Sequence, residues 1–354
     1  MTTRPSELRL HLAPKRRFEA IDVTARIRQS CDLLRRHQRA LFCSLHTTAG
    51  YLDRSLALRM NHSHDLMSQF FHAFRRLFPE GAEYRHDQID LRTELTDEQK
   101  VVEPRNGDSH LTFIGAQLRN CVTHPASTTA PVHFIELDGT PSDNFRRERK
   151  TTIVGFDREK RVEEISIRVP VSRHPIDSVN LADPRLGLLH SINEKLKRLG
   201  IEYARVDLMV DSAERNVGLT VNEYETLLIK HDLVEVLQNP LRFARIKGRN
   251  MIADPLSIPA KTRSYAQYDA VRILNSFMEA FRIDQSSFER MVAKMLSLPA
   301  RYYFRSRRVS FLASCDGGNV SRLIRGTYQS PILVQWQSAE MQTRNIDITI
   351  VELH

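Results

Sequence analysis

Apolar residues recur along this chain at two spacings. Runs three and four apart predict helices, and alternating runs predict strands. Over residues 26–39, Ile27, Cys31, Leu33 and Leu34 form one helical stripe. A stronger stripe follows residue 61. There Leu66, Phe70, Phe71, Phe74, Leu77 and Phe78 share a face, and Pro79-Glu80-Gly81 ends it. Between the two, residues 41–45 read as a strand. Residues 87–104 are polar and read as a loop, followed by a short helix from about Asp108. β-Branched residues flanked by turn formers predict strands over 132–137, 151–156 and 164–169.

The pattern then restarts. Pro175-Ile176-Asp177-Ser178-Val179 echoes Ala20-Ile21-Asp22-Val23-Thr24. Asp183-Pro184 opens a helix striped by Leu188, Leu189, Ile192 and Leu196, and Gly200 closes it. Val206, Leu208 and Val210 alternate as a strand, and residues 218–223 lead into a helix ending near Leu237. Helix, strand, turn and helix thus occur twice in the same order, which predicts an internal duplication of very long period. The expected domains are 1–172 and 173–354, the second carrying a helical insertion at about 241–308. In that insertion residues 264–281 read as one helix. Ser286 and Glu289 cap another that Pro299 stops. Residues 331–336 and 346–351 read as closing strands.

Composition narrows the chemistry. A chain of 354 residues can bury a sizeable core in about two domains. A net charge of +9 and a pI near 9.5 favour an anionic partner. Cys31, Cys43, Cys121 and Cys315 are scattered without zinc-finger spacing, which predicts reduced thiols and a cytoplasmic protein. No apolar run is long enough to span a membrane, and residues 1–18 are too charged for a secretory signal. Histidine is concentrated between Leu45 and His110, among carboxylates and small hydroxyl residues. That is the composition of a polar site.

The residues of that stretch resemble a known family. His46-Thr47-Thr48-Ala49, then His64-Asp65, Tyr84-Arg85-His86-Asp87 and Ser109-His110-Leu111, are similar to the successive motifs of the YjbQ-type family, whose members are often labelled secondary thiamine-phosphate synthases. Phe134-Ile135-Glu136-Leu137-Asp138-Gly139 resembles its E-x-D-G strand. The match covers about residues 18–169. The later part looks like a more diverged copy. Leu219-Thr220-Val221-Asn222-Glu223 resembles the LTLNE element, Lys230-His231-Asp232-Leu233 the HD helix, and Gly326-Thr327-Tyr328-Gln329 the GTWQ turn. The losses are complementary. The first copy keeps the histidines but has Thr129 and Ala130 in place of GTWQ. The second keeps Asn222, Glu223 and Gln329 but has Glu214 where the HTTA histidine would stand.

The resemblance implies an α+β fold of two YjbQ-like domains, each a mixed or antiparallel sheet packed with helices, in a homo-oligomer. It implies a site built from His46, Asp65, His86 and His110. Thr47, Thr48 and the basic run of Arg146, Arg147 and Arg149 are candidates to bind phosphate, and Asn222, Glu223 and Gln329 are the second copy's candidates. Asp232, in a copy without histidines, is expected to hold a loop. Three histidines on separate elements could also hold a divalent metal, Mg²⁺ or Zn²⁺, through neutral ring nitrogens, with His46, His86 and His110 as the ligands. The expected function is an enzyme, or degenerate enzyme, acting on a phosphorylated small molecule. In a thiamine-phosphate synthase-like reaction a pyrimidine pyrophosphate would join a thiazole phosphate. Two alternatives stand beside it. One is a non-catalytic ligand-binding or assembly protein. The other is a single-stranded nucleic-acid module using Tyr302, Tyr303 and Phe304 among the arginines of residues 301–308.

Overall fold

The computed structural model describes residues 4–127, 130–140, 146–238, 243, 304–315 and 321–354. Its strands pair antiparallel and fall into two sets that use the chain in order. The first set holds β1 (Ser6–Leu12), β2 (Glu19–Asp22), β3 (Arg39–Ser44), β4 (Ala49–Tyr51), β5 (Cys121–Pro125), β6 (His133–Glu136) and β7 (Arg149–Phe156). The second holds β8 (Glu159–Pro170), β9 (Asp177–Asn180), β10 (Tyr203–Val210), β11 (Val217–Asn222), β12 (Arg308–Ser314), β13 (Arg322–Ile324), β14 (Ser330–Gln335) and β15 (Thr343–Leu353).

The large sheet of the first set runs β1-β7-β3-β5 and the small one β2-β6-β4. In the second set the large sheet, taken from its β8 edge, runs β8-β15-β10-β12-β13, and the small one β9-β14-β11. Strand for strand the order repeats, with β13 added. The sets change over between Phe156 and Glu159. β8, placed by its sequence in the first half, pairs along its length with β15.

Strand alternation decides what each face meets. On β1, Leu8, Leu10 and Leu12 join Phe42, Ile153 and Phe134 in one apolar cluster. The other face of that sheet carries Leu41, Cys43, Val154 and Phe156. These pack on Leu312 and Leu353 of the second large sheet. The second sheet's remaining face buries Val206, Leu208, Phe311 and Ile348 against Leu188, Ile192 and Leu196.

The helices are α1 (Val23–Ser30), α2 (Leu33–Arg36), α3 (Arg54–Arg59), α4 (His64–Leu77), α5 (Asp97–Val102), α6 (Gly107–Gly115), α7 (Leu188–Leu199) and α8 (Leu233–Gln238). The helix expected over 26–39 is thus two short ones. Asp22 caps α1 earlier than expected by accepting from Ala25 N, and Cys31 is extended. The loop expected over 87–104 contains α5, held by a capping box between Thr96 and Gln99. The aromatic stripe of α4 is core, as its spacing predicts, with Phe70, Phe71, Phe74 and Phe78 buried. The helices expected at 264–281 and from 286 lie outside the described residues.

By contact the chain forms two compact units, each drawn from separate stretches. The first takes Met1–His62, Gln117–Tyr224 and Ser306–His354, and so contains every strand above. The second takes Ser63–Ala116 and Glu225–Arg305, one stretch from each half of the chain. It holds α4, α5, α6 and α8. Among the described residues no helix is long and apolar enough to cross a membrane.

Candidate functional site

In the first unit, β3 delivers its end to the loop of His46, Thr47 and Thr48. Ser44 Oγ turns the chain by donating to Ala49 O and accepting from His46 N. The His46 ring accepts from Lys150 N through Nε2, at 2.9 Å. A nitrogen that accepts carries no proton, so the neutral ring bears its hydrogen on Nδ1. Burial pushes the ring's pKa down to about 3, and the Arg149 guanidinium adds to the effect. Arg149 itself is buried and binds both oxygens of Glu136, with Thr48 Oγ1 at 3.1 Å. Burial holds the Glu136 carboxyl above its ordinary value, against the opposing pull of Arg149. Beside this pair Arg147 donates to Asp138 at 2.7 Å.

The carbonyls of the same loop are taken by residues far along the chain. Gln329 Nε2 donates to Ser44 O at 3.0 Å and to His46 O at 2.8 Å. Its Oε1 accepts from Gly326 N, closing the 326–329 turn. Asn222 Nδ2 donates to Thr47 O at 3.1 Å. The turn lies so close that a Cβ on Gly326 would stand 1.9 Å from Leu45 O. Glycine is required there by the close approach of two backbones.

Register identifies the matching place in the second set. Ser44 pairs with Thr151 and Val210 with Ile346, so Arg149 and Lys150 correspond to Arg344 and Asn345. Ala49 pairs with Glu136 and Val217 with Gln335, so Glu136 corresponds to Gln335. Glu214 then takes the place of His46, and it makes the same backbone bond, accepting from Asn345 N at 2.8 Å. Its other oxygen binds Arg344 at 2.8 Å.

The second unit is organised by His86, whose side chain is fully buried. Its Nδ1 lies 3.0 Å from Glu225 Oε2 and its Nε2 3.2 Å from Asn106 Oδ1. Asp232 accepts from Arg85 N and His86 N, fixing the turn that carries the ring. This is the loop-holding role its sequence context predicts. Burial pushes the Glu225 carboxyl up, but the His86 bond and the N–H groups of Leu227 and Leu228 outweigh it and hold it below the usual range. His110 on α6 sets its ring edge-on to His86, with centroids 4.9 Å apart. Gly107 N donates to Asp87 Oδ1, joining the start of α6 to the same turn. Asp232 ends a five-residue π-turn, Leu228–Asp232, that runs into α8.

The structure therefore brings His86 and His110 together in one unit and places His46, Thr47, Thr48, Asn222 and Gln329 together in the other. Glu223 adjoins this second group and donates its backbone N–H to Asn222 Oδ1. Asp65 stands at the start of α4 with its side chain 92% exposed beside His64. Arg146 is exposed next to the Arg147–Asp138 pair. The ring nitrogens of His46 and His86 do not suit a metal. His46 Nε2 is taken by Lys150 N, and both nitrogens of His86 are bonded within the protein. Among the described residues no group of three His, Cys, Asp or Glu side chains is placed to hold a metal ion. The sequence reading missed Glu225 and Glu136 as site residues. Glu136 stands in the E-x-D-G motif, and its opposite-sign partner Arg149 stands on the next strand along the chain, in the other sheet.

No family model matches the sequence, and no curated protein matches it. Among solved structures, the chain is similar to a YbjQ-like protein of unknown function from Sulfolobus solfataricus P2. Identity is 15% and the TM-score 0.28, covering 55% of this chain and 99% of that one. A hypothetical protein from Aeropyrum pernix K1 gives 15% identity and a TM-score of 0.26, covering 53% of this chain and 98% of that one. An uncharacterized conserved protein of the YjbQ/UPF0047 family from Clostridium acetobutylicum gives 9% identity and 0.26, covering 52% and 98%.

Proposed function

We propose that this chain is a tandem pair of YjbQ-like halves that binds a small phosphate-bearing molecule at the His46 loop. The motif order of the sequence, the repeated strand order and the register match of Arg149 with Arg344 support the pairing. One observation carries the binding reading. With Nε2 held by Lys150 N, the His46 ring keeps an Nδ1–H that has no partner among the described residues. A fixed, neutral N–H donor, with Arg147 and the exposed Lys150 close enough for their charges to act on the ring, suits the oxygens of a phosphate. The four free cysteines support a reduced, cytoplasmic setting.

The role of this ring is to orient. A group whose pKa lies near 3 has no proton to give at neutral pH and is a weak base. If phosphoryl or pyrophosphate chemistry follows binding, the cations Arg147 and Lys150 would take up charge on the leaving oxygens. The nucleic-acid reading loses part of its platform. Phe304 is buried, and Arg307 donates to the carbonyls of Asp211 and Glu214.

The test is isothermal titration of the full chain with thiamine monophosphate and with inorganic pyrophosphate. Saturable binding that weakens about tenfold in His46→Gln, through loss of one charge-assisted bond, is the expected result. Gly326→Ala, which forces the turn off the loop, should weaken it similarly. Binding unchanged in both variants, or no binding of either probe, removes the proposal.

A further inference from the structure

A second place in the first unit lies on the opposite face of β7. Along that strand Arg149, Thr151 and Ile153 point to the face shared with Glu136 and Tyr51. Lys150, Thr152 and Val154 point to the other. There, between the two large sheets, the apolar packing of Leu41, Cys43 and Leu312 gives way to a cleft of about 200 Å³. Arg9, His11 and Lys150 line one wall, and Leu312, Ser314 and Ile324 line the other. On β1, Arg9 and His11 sit directly opposite Thr152 and Lys150, so the wall is one continuous surface.

Two features distinguish this cleft from ordinary surface. Its described lining is positive, with Arg9 and Lys150 against the carboxylate of Glu7, which pairs with Arg9 at 2.7 Å. And Ser314, 2% exposed, has an Oγ with no hydrogen-bond partner among the described residues. A buried hydroxyl without a partner is costly to keep, and it is found where something else supplies the partner. The apolar side chains of Leu312 and Ile324 beside it would cover a short hydrocarbon group.

We propose that this cleft binds a small oxyanion carrying a short apolar group, either a phosphate monoester or a carboxylate. Ser314 Oγ and the cations of β1 and β7 hold the anionic head. The cleft uses the face of β7 opposite Arg149, and it adjoins the His46 loop through Leu45 and Lys150.

The experiment is isothermal titration of the full chain with n-butyl phosphate, with butyrate and with n-butanol. One of the two anions should bind saturably and n-butanol should not. Preference between the anions tells which head group the cleft takes. Arg9→Gln and Lys150→Met should each weaken binding about tenfold, the scale of one charge-assisted bond. Ser314→Ala should weaken binding while leaving the midpoint of urea unfolding unchanged or higher, because the hydroxyl it removes has no partner in the fold. His46→Gln should leave binding intact. Failure of both anions to bind, equal binding by the alcohol, or full affinity in Arg9→Gln, Lys150→Met and Ser314→Ala overturns the proposal. Loss of binding in His46→Gln alone also overturns it, by placing the anion on the other face.

Discussion

The loops at His46 and at Glu214 occupy corresponding positions and balance the same charge in different ways. Each faces an arginine at the same register position, Arg149 or Arg344. In the first the matching carboxylate stands on the sheet, as Glu136, and the loop carries a neutral histidine. In the second the sheet residue is Gln335, and the carboxylate has moved into the loop as Glu214. One acid per arginine is kept. Only the arrangement with the acid on the sheet leaves a loop side chain with a hydrogen to offer. The loops are also closed from different sources. Arg307 and Arg344, of the same half, bind the 211–215 carbonyls. Asn222 and Gln329, of the other half, bind those of the His46 loop.

The charge-balance account can be broken by moving the acid. Glu136→Gln leaves Arg149 buried without a counter-charge and should cost about 3–5 kcal/mol in urea unfolding. Adding His46→Glu rebuilds the second loop's pairing in the first, and the double variant should recover at least half of that loss. A double variant no more stable than the single one would mean the loops are not equivalent.

The same asymmetry between halves recurs in the second unit. Asp232 is buried and accepts two backbone N–H groups, whereas Asp65, in the matching HD motif, is exposed. Asp232→Ala should cost about 3 kcal/mol and speed amide exchange at Arg85 and His86. Asp65→Ala should stay within about 0.5 kcal/mol. Comparable losses from the two would erase the distinction.

A smaller effect isolates the closure from the other half. Gln329→Ala strips two carbonyls of their donor and should cost about 2 kcal/mol. The smallest is a pH dependence. The folded His46 value of about 3 lies below the unfolded 6.5, so the unfolded chain binds the extra proton. The contribution is complete above pH 6.5 and is lost as pH falls toward 3, with a slope of at most about 1.4 kcal/mol per pH unit. Between pH 7 and 5, wild-type protein should therefore lose more stability than His46→Gln, in which the amide can still accept from Lys150 N. Parallel pH curves for the two would contradict the neutral ring.

Much of this arrangement is legible in the sequence where the signal is local. The α4 stripe and the Gly200 stop follow from neighbouring residues, whereas Asp183-Pro184 opens only a 3₁₀ turn, Pro184–Leu186, and α7 begins at Leu188 after the left-handed Gly187. The restart read near Ser172 falls after β8, whereas the strand sets change over between Phe156 and Glu159. What escapes is decided at long range. Nothing near Glu225 marks it as the partner of His86, which lies 139 residues away. β4 is three residues long and contains a glycine, so it has no alternation to read. The break between α1 and α2 falls at Cys31, which is extended although it belongs to the apolar stripe.

The distance between Gln329 and His46 also sets an order of events during synthesis. β1 and β7 pair as neighbours, so the first large sheet can close once the chain reaches Phe156. The donor that pins His46 O is 283 residues further on than His46 itself. At ribosomal rates of about 5–20 residues per second that interval is roughly 15 to 60 seconds. Throughout it, the carbonyls of Ser44 and His46 lack Gln329, while Asn222, which pins Thr47 O, follows 175 residues after Thr47. The His46 loop is thus among the last parts of the first half to be fixed, although its residues are among the first to be made. A nascent chain halted before Tyr328 would carry a complete first sheet and a loop without the two Gln329 bonds.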